Sequence, residues 1–173
     1  MTDLSFPIGR FDREARITPD DRHAAMAAIR ELPLRMRDAV AGLDDRQLDS
    51  PYRPGGWTVR QLVHHVADSH MNGYIRLKLG LTEAHPTIKP YEQDRWAELR
   101  DSALPIAGSL GILDGVHQRW SVLWAALDEA AFARTFHHPE LGSLTLDRHL
   151  QLYAWHSRHH VAHITALRTR ERW

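Results

Sequence analysis

Cysteine does not occur in this 173-residue chain, and its absence removes three kinds of chemistry at once. No disulfide can staple the fold, no thiolate can ligate a metal, and no cysteine can serve as a nucleophile. A metal would have to be held by histidine or carboxylate, and any sulfur chemistry would have to use a substrate's thiol. Charge of one sign is not in excess either: 22 lysines and arginines face 22 aspartates and glutamates, and the pI is near 7.3. A basic block of about five or six residues is also lacking, so neither nucleic acid nor an anionic membrane is favoured as a partner. No apolar run approaches the roughly 20 residues needed to cross a bilayer. The opening stretch MTDLSFPIGRFDREAR mixes acids with arginines around no apolar core, which argues against a secretory signal. The expectation is a soluble, cytoplasmic protein forming a single domain over 1–173, long enough to bury a real core.

Histidine, by contrast, is abundant and unevenly placed, with 13 in the chain. His149, His156, His159, His160 and His163 fall together in HLQLYAWHSRHHVAHI, and His64, His65 and His70 share HHVADSH with Asp68. Both groups lie on segments with helical periodicity. The spacing predicts four long helices, without internal repeats or low-complexity linkers. The first runs from Pro19, behind Thr18 as N-cap, to about Leu43, with a kink at Pro33. The second follows Gly55-Gly56-Trp57-Thr58; Thr58 and Gln61 have capping-box spacing, and Val59, Leu62, Val63, Val66, Gly73, Tyr74 and Leu77 recur with the helical period. HPTIKPY reads as a loop and Glu92–Leu99 as a shorter helix. The third long helix covers about Pro105–Leu127. Phe132–Leu144 reads as irregular or weakly extended, with turn signals at His138-Pro139 and Gly142. The fourth starts behind Thr145, has Asp147 in its first turn, and runs to about Arg168. The fold class is therefore all-α: a four-helix bundle with long connections and minor irregular or short extended segments. Connections of about twenty residues speak against a simple up-down topology with tight loops.

Helical wheels at about 100° per residue decide where the histidines point. On the fourth helix Leu146, Leu150, Tyr153, Val161 and Ile164 form the apolar stripe. His149, His156, His160 and His163 form a second stripe roughly 80° away, on the shoulder of the core. On the second helix His65, Ser69, Asn72 and Arg76 line up roughly 110° from the apolar centre, with Asp68 beside them. Two polar shoulders facing each other would bring imidazoles from two helices together, a three-nitrogen metal site with room for water. The His156/His160 spacing alone carries little weight, since about one such pair arises by chance at this histidine content. HExxH is absent because Ser157 follows His156, so no zincin-type glutamate base is present. From the residues alone, the metal site competes with hydrogen-bonded core-edge histidines and with a histidine-rich surface tract. His23, His85, His117, His137 and His138 read as surface or loop residues, Tyr153 as core packing, and Trp57 as a staple or core wall. Arg76 reads as half of an ion pair ahead of an anion-binding group.

Four segments, FPIGRF, PYRPGGWTVRQLVHHVADSHMNGYIRLKLGLTE, PYEQDRWAEL and LYAWHSRHHVAHI, together resemble the YfiT-type metal-dependent hydrolases of the larger DinB-like superfamily. The resemblance runs from about Leu4 to Arg168. It implies a DinB-like four-helix bundle, a cytoplasmic homodimer, and a divalent metal bound by three histidines, Zn2+ first and Ni2+ as the alternative. Carried over by motif, the second histidine of the HHxxD run is His65, the histidine after the tryptophan of the WHSxHH run is His156, and the one a turn later is His160. Arg158 stands where the family often has a further histidine, at a position that is not a ligand in the pattern.

The activity so implied is hydrolysis of a small-molecule substrate at a three-histidine divalent metal site with bound water. Asp68, one turn from His65, is the candidate catalytic base, or else a group that fixes a ligand's tautomer. Other members of the superfamily use the same ion to bind a low-molecular-weight thiol and join it to an electrophile, so an S-transferase is the alternative. A third reading is a non-catalytic metal-stabilised or ligand-binding bundle, for which four protein ligands would be the rule.

Overall fold

Threonine starts three of the four long helices. In the computed structural model, which describes residues 3–173, the Thr18 hydroxyl accepts from the Asp21 amide and the Asp21 carboxylate accepts from the Thr18 amide. With Pro19 at the first helical position, this capping box opens α1, Pro19–Val40. Thr58 and Gln61 make the same reciprocal pair at the start of α3, Val59–Thr82. Thr145 caps Arg148 at the start of α7, Leu146–Glu171. Each satisfies amide groups that no helical carbonyl can reach. The remaining long helix, α5 (Ala107–Ala125), lacks a side-chain cap. Short helices α2 (Asp45–Leu48), α4 (Gln93–Ala97) and α6 (Glu129–Phe132) and a 3-10 turn at Arg100–Ala103 fill the connections.

α1 ends at Val40, ahead of the expected Leu43, because Gly42 takes a positive φ that turns the chain out of the helix. It passes unbroken through Pro33. The predicted weakly extended stretch is a small hairpin, β1 (Thr135–His138) against β2 (Gly142–Thr145), in the register Phe136↔Leu144 and His138↔Gly142. Phe136 and Leu144 are buried on one face of it. The HPTIKPY loop lies along β1, with amides of His137 and Ile88 bonded to carbonyls of Pro86 and His137.

The four long helices form a bundle in which α1 packs against α5 and α7, and α3 also packs against α5 and α7. α1 and α3, consecutive long helices, thus sit across the diagonal, and the expectation that the topology is not simply up-down holds. The interior has two apolar clusters. One contains Leu32, Met36, Leu62, Val63, Val66, Leu113, Ile164 and Leu167. The other contains Ile29, Leu77, Trp120, Trp124, Phe136, Leu146, Leu150 and Tyr153. Between them, along α3, α5 and α7, lie His70, His117, His160 and His163, all buried.

Close approach of α3 and α7 depends on Gly73. A Cβ there would lie 2.5 Å from Cζ of Tyr153 and 2.8 Å from Cη2 of Trp120. The Gly73 carbonyl also accepts the Nε2–H of His149, at 2.9 Å. Gly73→Ala should therefore destabilise the protein by about 2 kcal/mol, read from urea unfolding. A second expectation concerns pH. Burial lowers the folded-state pKa of His149 from 6.5 to about 3. As pH falls, the unfolded chain binds the proton first. The stability is fully present above the unfolded value and declines below it, by about 1.4 kcal/mol per pH unit for this residue. The urea midpoint of metal-free protein should fall between about pH 7 and about pH 5, above the carboxylate range; a midpoint flat across that interval would contradict the assignment.

Candidate functional site

The adjacent histidines of HHVADSH have opposite fates. His64 Nε2 donates to the Leu104 carbonyl at 3.0 Å, and its Nδ1 accepts from the Ser109 hydroxyl at 2.7 Å. Both ring nitrogens are thereby used to tie α3 to the start of α5. His65, one residue on, turns toward α7, and no hydrogen bond to its ring is found among the described residues. Its ring centroid lies 5.4 Å from that of His156 and 5.0 Å from that of His160. The Trp57 ring packs against it, tilted, at 4.5 Å. His156 and His160, one turn apart on α7, hold their Nε2 atoms 3.0 Å from each other. Each of the three offers a ring nitrogen, and these atoms all lie within 4.8 Å of one another. The three sequence-derived ligand candidates thus come together.

Electrostatics keep these rings neutral. Burial lowers the pKa of His65 to about 4. His156 and His160 are held well below the ordinary imidazole value, first by burial and then by neighbouring histidines. A neutral imidazole has one nitrogen lone pair to give, and a cluster of such donors with no carboxylate among them suits a transition-metal dication. A second group, His159, His160 and His163, has its ring nitrogens equally close. It shares His160 with the first and lies wholly on α7, and its His159 Nδ1 is buried without a hydrogen-bond partner among the described residues.

A pocket of about 570 Å³ opens beside the first group, lined by His156 together with Ser69, Arg76, Tyr91, His138 and Tyr153. Arg76 departs from the sequence reading. It makes no ion pair among the described residues, and its guanidinium donates to the Lys89 carbonyl at 3.3 Å. Tyr153 is buried, as expected of core packing, with its hydroxyl donating to the Ser69 carbonyl. Asp68 is half-buried; burial and the charge of Asp101 raise the pKa of its carboxyl. No hydrogen bond joins that carboxylate to His65, His156 or His160 among the described residues.

Two histidines read as surface or loop residues are buried instead. His138 is enclosed by the hairpin and the pocket wall. His117 is 1 % exposed, its Nδ1 2.5 Å from the Ile29 carbonyl and its Nε2 2.9 Å from Nδ1 of His70. His70 in turn places Nε2 3.0 Å from Nδ1 of His156. The signal for His117 was present in the sequence: Leu110, Leu113, His117, Trp120 and Trp124 repeat at alternating three- and four-residue spacing, the period of a buried face. His23 and His85 are exposed and His137 is partly so, as expected.

A four-helix bundle with histidines from two helices converging in its interior defines a class, and comparison with known proteins gives the family. Residues 28–164 match the DinB superfamily, and the chain belongs to it. A relative from Bacillus mycoides (strain KBAB4) is 53% identical over 173 residues, covering 100% of both chains, and one from Bacillus cereus (strain B4264) matches to the same extent; both are named as presumed metal-dependent hydrolases. Among solved structures, YfiT from Bacillus subtilis, described as a probable metal-dependent hydrolase with an unusual four-helix bundle topology, superposes with a TM-score of 0.94 at 47% identity, over 98% of each chain. TT2238, a four-helix bundle protein, shares the fold at a TM-score of 0.58 and 23% identity, over 86% of this chain and 99% of its own. No helix among the described residues is long and apolar enough to cross a membrane.

If His64 is a structural tie, His64→Phe should leave the Leu104 carbonyl and Ser109 hydroxyl unpaired and lower the unfolding free energy by about 2 kcal/mol in urea.

Proposed function

We propose that His65, His156 and His160 hold one divalent cation, Zn2+ first and Ni2+ as the alternative, and that the protein is a metal-dependent hydrolase of a small molecule admitted beside His156. The observation that carries this reading is the convergence of three neutral ring nitrogens from two helices within 4.8 Å. When bound, the ion would supply Lewis acidity toward a carbonyl-type oxygen and lower the pKa of water toward about 7, its charge undiminished by neutral ligands. The chain supplies the rest. Burial withholds protons from the three imidazoles, and Trp57 packs over His65. The pocket presents the Arg76 guanidinium and the Ser69 and Tyr91 side of its wall to a substrate. Asp68 is our candidate base: its raised pKa lies in the direction a general base at neutral pH requires. We place the protein in the cytoplasm as a homodimer, without nucleic-acid or membrane partners.

One observation favours a second reading. The histidine cluster includes no carboxylate, and a hydrolase gains more from a nearby base than a thiol transferase does. A low-molecular-weight thiol beside a divalent ion ionises readily, its proton passing to solvent. Its sulfur would form a bond to the carbon of an electrophile as the leaving group departs with the bonding electrons.

Purified protein should take up about one Zn2+ per chain, and His65→Ala, His156→Ala and His160→Ala should each lose most of that uptake, measured by metal analysis after dialysis. Full uptake by all three variants would overturn the site. Loaded protein should hydrolyse members of an ester, amide and amidine panel faster than free Zn2+, and chelation should abolish the rate. No hydrolysis, together with a Zn2+-dependent conjugate from a small thiol and an electrophile, would assign transfer instead.

A further inference from the structure

We propose that His117 and His70 are positioning residues for His156: with the Ile29 carbonyl they form a buried hydrogen-bond chain of fixed polarity that holds His156 as the Nδ1–H tautomer and turns its Nε2 lone pair toward the cation site. The purpose of the chain rests on the metal site proposed above; its geometry does not.

Polarity follows from one end. A carbonyl oxygen only accepts, so the 2.5 Å contact at Ile29 requires a proton on Nδ1 of His117. His117 is neutral, its pKa lowered to about 4 by burial, so its Nε2 carries a lone pair. That lone pair accepts from His70 at 2.9 Å, which places the proton of His70 on Nδ1. His70 is 0 % exposed and no carboxylate bonds to its ring among the described residues, so a second proton would leave a buried, unpaired charge, and its Nε2 is also bare. Across 3.0 Å it accepts from Nδ1 of His156. The remaining nitrogen of His156, Nε2, is the one that faces His160. The nitrogen that ligates a metal is set by the hydrogen bond that the other one makes. Here that choice is transmitted through two rings from a backbone atom.

The anchor is available for a reason written in the sequence. Ile29 sits on α1, and the residue four further on is Pro33. In a helix the Ile29 carbonyl would accept the amide of that residue, and proline has none. The free carbonyl instead receives His117, so the chain of contacts runs α1, α5, α3, α7 and crosses all four long helices of the bundle. Trp120 and Tyr153 pack edge-on against His70 at 5.7 and 5.1 Å and hold it in place. The Tyr153 hydroxyl is committed to the Ser69 carbonyl and does not compete for His70. His160 has a weaker counterpart: the nearest ring nitrogen to its Nδ1 is that of His163, at 3.5 Å.

Long-range 1H–15N spectra of metal-free wild-type protein read the tautomers directly. The expected result is Nδ1–H for His117, His70 and His156. An Nε2–H signal for His70 or His156 would overturn the proposal, whether or not any metal binds. Zinc affinity, from competition with a chromogenic chelator, gives the second readout. His70→Leu removes the acceptor and should weaken binding by about 10- to 100-fold. His70→Gln can donate to His117 and accept from His156, and should recover most of the loss at a similar thermal midpoint. Equal weakening in both variants at equal stability, or unchanged affinity in His70→Leu, would overturn it. Wild-type protein that takes up no zinc would defeat the metal reading instead, and the spectra would still decide the chain.

Discussion

An imidazole buried in an uncharged interior must remain neutral, must place its single N–H on an acceptor, and is then left with one lone pair to direct. This constraint governs the centre of the bundle, where two apolar clusters are separated by a layer of histidines. Four of the acceptors are backbone carbonyls, Gly73 for His149, Leu104 for His64, Ile29 for His117 and Ser5 for His163, while His70 and His156 each bond to a ring nitrogen of the next histidine. Each carbonyl has a local reason to be available. Leu104 lies in the turn before α5, Ser5 in the segment before α1, Ile29 four residues ahead of a proline, and the Gly73 carbonyl has a second lone pair beside the one its helix uses. With its Nδ1 engaged by His70, His156 is left with the Nε2 lone pair turned toward His160, and a cluster of such donors is what a dication needs.

The apolar clusters serve the histidine layer mechanically. Trp120, Trp124, Phe136 and Tyr153 surround His149 and His70 with rings at 4.8 to 6.2 Å, in edge and tilted arrangements. Packing of this kind leaves each imidazole little rotational freedom, and desolvation is the first cause of every lowered histidine pKa in the layer. Packing and ligand availability therefore have a common origin: the burial that disfavours the protonated ring is also what keeps its nitrogen free of a proton. The backbone frame carrying these rings is similar to that of YfiT over nearly the whole chain.

Much of this was readable from residue order. Threonine caps, the capping-box partners Asp21 and Gln61, and the starts of α1, α3 and α7 are local features, decided within one helical turn. The wheel of α7 set His156 and His160 on one shoulder, and that of α3 turned His65 toward it. Other residues escaped for physical reasons. The apolar period of α5 puts His117 on a buried face, but only the approach of Ile29 and His70, 88 and 47 residues away, shows what its two nitrogens bond there. His138 owes its burial to a hairpin whose strands are too short to announce themselves by alternation. Arg76 was expected to pair with a carboxylate; which carboxylates lie within reach depends on how the HPTIKPY loop folds over α3, and the loop offers the Lys89 carbonyl instead.

What residue order determined by itself is the set of local possibilities: helices of given length and face, a proline that removes one amide from α1, and imidazoles grouped on particular turns. These follow from short-range sterics and hydrogen bonding, which need no knowledge of the rest of the chain. Only the tertiary arrangement decided which lone pairs meet. His64 and His65 are neighbours with the same chemistry, yet one is consumed by Ser109 and Leu104 while the other faces His156 and His160. That distinction depends on where α5 and α7 lie relative to α3, and helix packing fixes this through contacts between residues far apart in the chain.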